Sequence, residues 1–202
     1  MLRPTVFLSV LALSACVNVF ADPIPYNNVS HPAVYSSLNA AATGSVTGYF
    51  AGASSADTDT VALYDVTSGR TSSFLFPNHS TGIGATANFG NVSAGDLLVF
   101  LLFNRDTGTT LFSNTSNADG VTHAYVTPFT GGLLRGATIP AGTYVGFEDI
   151  LLSQGSDYDY NDSSFVFTNV STTVTPEPAT LLLLGTGLLS VAGTLRRRVV
   201  RD

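Results

Sequence analysis

Acidic and amide side chains are concentrated in one stretch of this chain, between positions 148 and 162. Its oxygen-bearing residues are Glu148, Asp149, Asp157, Asp159, Asn161 and Asp162. Asp157, Asp159 and Asn161 occupy every second position, so in a loop or extended segment their oxygens can converge on one side. Hard oxygen ligands select calcium or magnesium over softer metals. The spacing therefore predicts a calcium site formed from these six residues.

The stretch does not have the spacing of an EF-hand. That loop needs glycine at position six and glutamate at position twelve, whereas counting from Asp157 these positions hold Asp162 and Thr168. Glu148 or Asp149, from the neighbouring strand, would have to complete the ligand shell. The alternative is an Asx-turn loop, in which aspartate and asparagine bond their own backbone. Calcium is favoured because no lysine or nearby arginine offers the crowded carboxylates a counter-charge.

The same stretch resembles a bacterial domain of unknown function, common in calcium-associated surface proteins, that ends in G-x-E-D followed by D-x-D-Y-N-D. The matching residues are Gly146, Glu148, Asp149, Asp157, Asp159, Tyr160, Asn161 and Asp162. Asn117, Asp119 and Gly120, with His123, are similar to the upstream part of that domain, and the resemblance spans roughly residues 90–170. It implies Asn117, Asp119 and His123 as weaker metal or structural candidates. We interpret His123 as a hydrogen-bonded strand residue.

Other polar groups offer weaker chemistry. Asp57, Asp59 and Asp65 form a second acidic group, which we interpret as a polar loop. Glu148 with Asp157 could act as the carboxylate pair of a glycoside hydrolase, but any acidic cluster contains such pairs. We therefore expect no catalytic residues and no enzyme activity.

These residues must be positioned by β structure. Between residues 44 and 170, short apolar or alternating runs are separated by Gly, Asn, Asp and Ser, as in antiparallel sheets. Strands are predicted at 45–50, 60–66, 72–76, 85–89, 96–103, 109–112, 122–127, 143–152 and 164–170. Residues 97–103 are apolar throughout and predict a central strand, and residues 67–70 predict a hairpin turn. The fold class is all-β: an antiparallel, jelly-roll-like β-sandwich over residues 44–170.

The rest of the exported region is polar and acidic. Residues 22–43 predict a loosely ordered N-terminal segment, and residues 171–178 predict a linker. Residues 22–175 carry twelve acidic and three basic side chains, so a phosphate backbone would be repelled and no nucleic-acid partner is expected. Cys16 is the single cysteine, which excludes a disulfide framework.

The first 21 residues have the features of a secretory signal peptide. Arg3 precedes an apolar stretch, and Val19 and Ala21 stand at the −3 and −1 positions of a small-residue cleavage site. These residues predict an N-terminal signal helix that is removed after Ala21. The alternative is a lipobox ending at Cys16, which would leave Cys16 as a lipidated N-terminus.

The C-terminal end has the order of a sorting signal. The motif Pro176-Glu177-Pro178 is followed by an apolar run at 179–195, which predicts a transmembrane helix. Residues 196–202 begin with Arg196, Arg197 and Arg198 and predict a basic cytoplasmic tail. This tail resembles the PEP-CTERM family of sorting signals. The resemblance implies cleavage by an exosortase-type membrane protease near the Pro-Glu-Pro motif, in a bacterium that makes exopolysaccharide. It also implies an inner-membrane-anchored precursor and a cell-surface or extracellular product.

Three functions follow for the β domain. The first is a non-catalytic, calcium-binding surface or matrix protein, in which calcium orders the 157–162 loop and bridges to exopolysaccharide. The second is a calcium-dependent carbohydrate-binding module that uses Tyr158 and Tyr160 as exposed aromatic contacts. The third is a glycoside-active enzyme.

Overall fold

The computed structural model describes residues 24–173, which form a β protein. In chain order the strands are β1 (Ser37–Ala40), β2 (Gly44–Ala53), β3 (Asp59–Asp65), β4 (Arg70–Thr71), β5 (Thr86–Val92), β6 (Leu97–Asn104), β7 (Thr109–Phe112), β8 (Ala124–Phe129), β9 (Gly132–Leu134), β10 (Ala137–Ile139), β11 (Gly142–Phe147), β12 (Ser163–Thr168) and β13 (Val170–Thr173). The helical structure within 24–173 is one 3-10 turn, Leu152–Gln154. No helix in this part of the chain is long and apolar enough to cross a membrane.

The strands form two antiparallel sheets and a separate ribbon. The first sheet has the order β13-β1-β6-β3-β4, with β7 also paired to β6, and the second has the order β5-β2-β12-β11-β8. Strands β9 and β10 form the two-stranded ribbon. Strand β6 pairs with β3 on one side and with β1 and β7 on the other, which confirms the predicted central strand.

Phenylalanines fill the space between the two sheets. Phe100 of β6 stacks on Phe167 of β12 with ring centroids 3.8 Å apart, and Phe89 of β5 meets both rings edge-on. Phe165 and Phe167 share one face of β12 because side chains alternate along a strand, and both are fully buried. The alternating pattern in the sequence therefore produces the shared core of a sandwich.

The outer face of the second sheet is partly covered as well. Val166 of β12 and Tyr144 of β11 pack with Leu134 and Ile139 of the β9–β10 ribbon. Both faces of β11 and β12 are consequently buried. These two strands provide a rigid base for the loop that joins them, residues 148–162.

The all-β, antiparallel prediction is confirmed, and the strands near 45, 60, 85, 97, 109, 124, 143 and 164 appear close to their expected positions. The hairpin turn is also present: Gly69 has φ 71° and donates its N–H to the Asp65 carbonyl. The jelly-roll likeness stays a prediction. The predicted signal helix and transmembrane helix lie outside the described residues.

Two predicted strands are shorter than expected. The run at 72–76 contributes only an isolated bridge between Val61 and Leu75, because β4 ends at Thr71. The run at 143–152 ends at Phe147 because Glu148 turns away from β12 and donates its N–H to the carbonyl of His123 instead.

Paired structure also extends beyond the 44–170 range. Strand β1 lies within the segment expected to be loosely ordered, and β13 begins at Val170 and continues into the predicted linker. The pairing is favourable because Leu38, Ala40 and Val170 bury their side chains in the sandwich core while the alternate positions stay polar. Five short strands, β1, β4, β9, β10 and β13, have no counterpart among the strands predicted from the apolar pattern.

Replacing Phe167→Ala tests the inter-sheet core. The substitution removes a fully buried ring that stacks on Phe100, and we expect the free energy of unfolding in urea to fall by about 3–5 kcal/mol. Phe74→Ala is the matched control, because that ring is 42 % exposed, and should cost about 1 kcal/mol or less. Equal losses in the two variants would contradict the proposed core.

Candidate metal centre

The register of β11 and β12 brings the two ends of the acidic stretch together. Phe147, the last residue of β11, pairs directly with Ser163, the first residue of β12. The connecting loop therefore starts and finishes side by side. Glu148 at its start meets Asp157 and Asp159, which come near its end.

Two tyrosines orient the returning half of this loop. Tyr158 and Tyr160 both have left-handed backbone conformations, with φ 53° and 56°, and both are 2 % exposed. The hydroxyl of Tyr160 accepts the N–H of Ala33 at 2.7 Å and donates to the carbonyl of Thr122 at 3.3 Å. The expectation that Tyr158 and Tyr160 are exposed contacts for sugars is wrong, because their rings anchor the loop in a small aromatic core.

Because Tyr158 and Tyr160 are buried, the residues that alternate with them, Asp157 and Asp159, lie on the opposite side of the loop. Asp157 is exposed and Asp159 is half-buried. One carboxylate oxygen from each, together with one from the buried Glu148, lie within 4.8 Å of one another. These three residues are called the triad below.

The spacing in the triad suits a divalent cation. Oxygens that lie within 4.8 Å of one another can share one ion at metal–oxygen distances of about 2.0–2.6 Å. Within residues 24–173 the single ion pair joins His123 and Asp119, so no basic side chain neutralises the triad. The chemistry and the size of the triad therefore suit a hard divalent cation.

Local hydrogen bonds hold Glu148 in place. Its Oε1 accepts the backbone N–H of Tyr160 at 2.5 Å, and its Oε2 accepts the hydroxyl of Ser156 at 2.5 Å. Burial, together with repulsion from Asp157 and Asp159, still raises the pKa of the Glu148 carboxyl. Burial also raises the pKa of Asp159, and Asp157 adds to the effect. In both residues burial is the main cause of the raised pKa, and the neighbouring carboxylates add to it.

Asn161 is bonded to Asp159 and is not one of the three residues of the triad. Its side-chain amide donates to the Asp159 carboxylate, and its backbone N–H donates to Asp159 Oδ1 at 3.1 Å. The backbone N–H of Asp159 in turn donates to Asp157 Oδ1 at 3.3 Å. The Asx-type hydrogen bonds of the alternative interpretation are thus present in the same loop as the converging carboxylates.

Asp149 and Asp162 form a second acidic group beside the triad. Asp162 Oδ2 accepts the backbone N–H of Asp149 at 3.0 Å, and the Asp149 carboxylate accepts the hydroxyl of Ser55. Burial, then repulsion from Asp149 and Glu148, raises the pKa of Asp162 to about 8. Both residues line a cleft of about 280 Å³ together with Asp57 from the β2–β3 loop. Glu148 and Asp157 of the triad line the same cleft, so this second acidic group adjoins the triad.

Sequence reasoning missed the importance of Asp59. It was expected in a polar loop, but it is the first residue of β3 and is fully buried. Burial and the charge of Asp149 raise the pKa of its carboxyl to about 8, opposed by a hydrogen bond from Ser163. The sequence did contain one signal for this. Asp59 lies two positions after Asp57 and just before the apolar run that starts at Val61.

The upstream candidates lie together but do not join the triad. The Asn117 side chain accepts the N–H of Phe112 at 2.8 Å, and its amide nitrogen lies within hydrogen-bond distance of three carbonyls, so it holds a turn. The buried His123 bonds Asp119 through Nε2 at 2.9 Å. Burial acts to raise the pKa of Asp119. The hydrogen bond from His123 and the charge of that histidine outweigh burial, so the pKa of Asp119 is lowered. His123 contacts the triad's surroundings through its carbonyl, which accepts the Glu148 N–H, and through its ring, which lies 6.1 Å from the ring of Tyr158.

The buried carboxylates predict an unusual pH dependence in metal-free solution. The pKa of Asp59 and of Asp162 is about 8 when folded, against an ordinary value of 3.8. Between these values the folded chain holds protons that the unfolded chain has lost. Stability should therefore be greatest near pH 4 and fall as the pH rises to 8.

Melting temperatures at pH 5 and pH 8 in EDTA measure this dependence. The wild type should melt at a lower temperature at pH 8, and the double variant Asp59→Asn/Asp162→Asn should show a smaller difference between the two pH values. A wild type that is more stable at pH 8 in EDTA would contradict the assignment of buried, uncompensated carboxylates.

Comparison with known proteins identifies the C-terminal end of the chain. Residues 174–198 match the model of the PEP-CTERM protein-sorting motif. No curated protein and no solved structure matches the chain significantly. The resemblance to a calcium-associated domain consequently stays a prediction. The chain carries a PEP-CTERM sorting motif, which marks an exported, membrane-anchored precursor that an exosortase processes.

Proposed function

We propose that the β domain is a non-catalytic, calcium-binding domain of a cell-surface or extracellular-matrix protein. The observation that carries the proposal is the convergence of Glu148, Asp157 and Asp159 within 4.8 Å, without a basic partner among residues 24–173. The sorting motif supports it, because extracellular calcium modules work at about 10⁻⁴–10⁻³ M. A calcium ion would supply the missing positive charge.

Calcium in the triad would stabilise more than the loop itself. Glu148 lies at the end of β11, whereas Asp157 and Asp159 belong to the returning half of the loop, so one ion would connect the two halves. The returning half also contacts the N-terminal segment: the Asp157 carbonyl accepts the N–H of Ser30 at 2.7 Å, and Tyr160 accepts that of Ala33. Calcium binding would therefore fix residues 30–33 as well.

The position of Glu148 supports a binding role over catalysis. A catalytic carboxyl of a glycoside hydrolase must reach the substrate's glycosidic oxygen or anomeric carbon. Glu148 is 1 % exposed, and both of its oxygens already accept hydrogen bonds from Tyr160 and Ser156. Its carboxylate is thus arranged to hold the loop and a cation.

Calcium titration followed by thermal unfolding tests the proposal. The full chain in non-ionic detergent should melt at a higher temperature as calcium rises, with a stabilisation of about 2.7 kcal/mol at 100 times the dissociation constant. Asp157→Asn and Asp159→Asn should remove most of this gain. They should do so without lowering stability in EDTA, because each removes a repelling charge.

Asp96→Asn is the matched control, since Asp96 is a partly exposed carboxylate that caps the separate turn at Ser93. This variant should keep the full response to calcium. Absence of a shift in the wild type at millimolar calcium would overturn the proposed function. So would an unchanged response in the Asp157→Asn/Asp159→Asn double variant.

A second candidate function, carbohydrate binding, is favoured by a cavity next to the triad. This cavity of about 340 Å³ is lined by Tyr26, Arg135, Asp159 and Asn161 among others. Tyr26 is half-buried and packs edge-on against Tyr160 with ring centroids 4.9 Å apart. Within residues 24–173, Arg135 has no ion-pair partner. An aromatic face and a free guanidinium would suit an acidic sugar of an exopolysaccharide.

A glycan array probed in calcium and in EDTA tests this second function. The wild type should bind acidic glycans in calcium, and Arg135→Ala and Tyr26→Ala should each reduce binding at least tenfold. Arg70→Ala, at the exposed strand β4, is the control and should bind normally. An array without signal in calcium would exclude carbohydrate binding and leave the calcium proposal standing.

A further inference from the structure

Exposed apolar side chains lie at the end of the sandwich that carries the 148–162 loop. They belong to that loop and to the N-terminal segment beside it: Val29, Val34, Tyr35 and Leu152. Val34 is 87 % exposed, and Leu152, in the 3-10 turn of the loop, is 58 % exposed. The N–H of Ser30 donates to the Asp157 carbonyl at 2.7 Å, so the two segments are in contact. We call residues 29–35 and 148–162 the loop end of the sandwich.

The last described strand, β13, runs toward the loop end. Strand β13 is antiparallel to β1, and β1 is antiparallel to β6, so β13 has the direction of β6. Strand β6 ends at Asn104, whose side-chain amide donates to the carbonyl of Asp149, the second residue of the 148–162 loop. The chain therefore leaves the sandwich at Thr173 in the direction of the loop end.

Only a short stretch of chain separates β13 from the membrane anchor. The sorting motif, which marks a membrane-anchored precursor, matches from residue 174, directly after Thr173. Its apolar run occupies 179–195, so the five residues 174–178 connect the run to β13. Five residues span at most about 18 Å when fully extended. In the precursor, the membrane surface can therefore lie no more than about this distance beyond Thr173.

The loop end extends about as far as this connection reaches. Thr173 pairs with Ser37, and the next residue of β1, Leu38, pairs with Leu98 of β6. Thr173 is therefore level with about the third residue of β6, and the strand continues from there to Asn104 for about 17 Å. The membrane to which the precursor is anchored would consequently meet the loop end.

The charges of the loop end suit a membrane surface only when a cation is bound. The triad would repel anionic lipid headgroups if its carboxylates were left unneutralised. Calcium takes six to eight oxygen ligands, more than three carboxylates with one oxygen each provide, and Asp157 is exposed. Arg105, in the turn after β6, is exposed and forms no ion pair among residues 24–173. A lipid phosphate could therefore bind both the ion and this guanidinium.

We propose that the loop end docks on anionic phospholipid headgroups, with the triad calcium bridging to a lipid phosphate and the exposed apolar side chains entering the headgroup region. The inference rests on the proposed function, because the bridge needs calcium in the triad. Apolar side chains of interfacial segments insert about 5–10 Å into the boundary between headgroups and acyl chains. Docking would hold residues 174–178 at the membrane surface, where a membrane protease acts.

Single-tryptophan variants of the full chain in lipid nanodiscs test this inference, because the natural sequence contains no tryptophan. The nanodiscs contain phosphatidylglycerol and phosphatidylcholine, and bromine on the acyl chains quenches a tryptophan that enters the membrane. Leu152→Trp places the reporter in the loop end. Val66→Trp is the matched control, because Val66 is 38 % exposed and follows the last residue of β3, at the opposite end of the sandwich.

Docking should quench the first reporter and not the second. In millimolar calcium the fluorescence of Leu152→Trp should fall by about half or more, because the side chain would reach the acyl-chain boundary. It should stay unquenched in EDTA and in nanodiscs of phosphatidylcholine alone. Val66→Trp should stay unquenched throughout. Adding Asp157→Asn/Asp159→Asn to Leu152→Trp should abolish the quenching.

The failure of docking can be distinguished from the failure of the proposed function. Unquenched Leu152→Trp in a protein whose melting temperature still rises with calcium would overturn docking and leave the calcium site. Equal quenching in calcium and EDTA, or quenching that the added Asp157→Asn/Asp159→Asn retains, would overturn the calcium bridge. A melting temperature and a fluorescence that both ignore calcium would overturn the docking and the proposed function together.

Discussion

The structure depends on one constraint, the antiparallel pairing of Phe147 with Ser163. This pairing fixes both ends of a loop that contains five carboxylates and brings its first residue against its last ones. Repulsion among those charges opposes the arrangement. The phenylalanine core between the sheets and the buried rings of Tyr158 and Tyr160 stabilise it. Packing energy thus holds together a group of charges that would otherwise separate.

Such an arrangement is chemically useful because the domain has almost no positive charge of its own. Of its three arginines, Arg135 lies beside the acidic loop, and within residues 24–173 none of them forms an ion pair. Extracellular calcium modules bind at about 10⁻⁴–10⁻³ M, which suits a protein that carries a sorting motif of exported proteins. The exported location and the unneutralised carboxylates therefore support the same function, although they were inferred from different parts of the chain.

The strands could be predicted where the sequence has a clear run of apolar residues or a clear alternation of apolar and polar residues. Strong runs such as Leu97 to Asn104 have enough apolar residues to identify both the strand and its central position. Strand β1 has only Leu38 and Ala40 facing the core, and its partner β13 is polar at alternate positions, so neither stands out locally. Their pairing is a long-range contact between the two ends of the domain, and no local pattern specifies it.

The candidate site could be located from sequence but not divided into its parts. The spacing of Asp157 and Asp159 identified the loop, because alternation works there as it does in a strand. The left-handed conformations of Tyr158 and Tyr160 could not be predicted, because tyrosine seldom adopts them, so their rings were expected on the surface. The burial of Asp59 was missed because its carboxylate contacts residues far along the chain, such as Ser163, 104 positions later, and no local pattern specifies those contacts.

A crystal structure of the domain grown in millimolar calcium tests the central claim most directly. The account predicts a calcium ion at about 2.3–2.6 Å from oxygens of Glu148, Asp157 and Asp159. Anomalous scattering would identify the ion. Electron density that shows only water at the triad, with the three carboxylates turned away from one another, would contradict it.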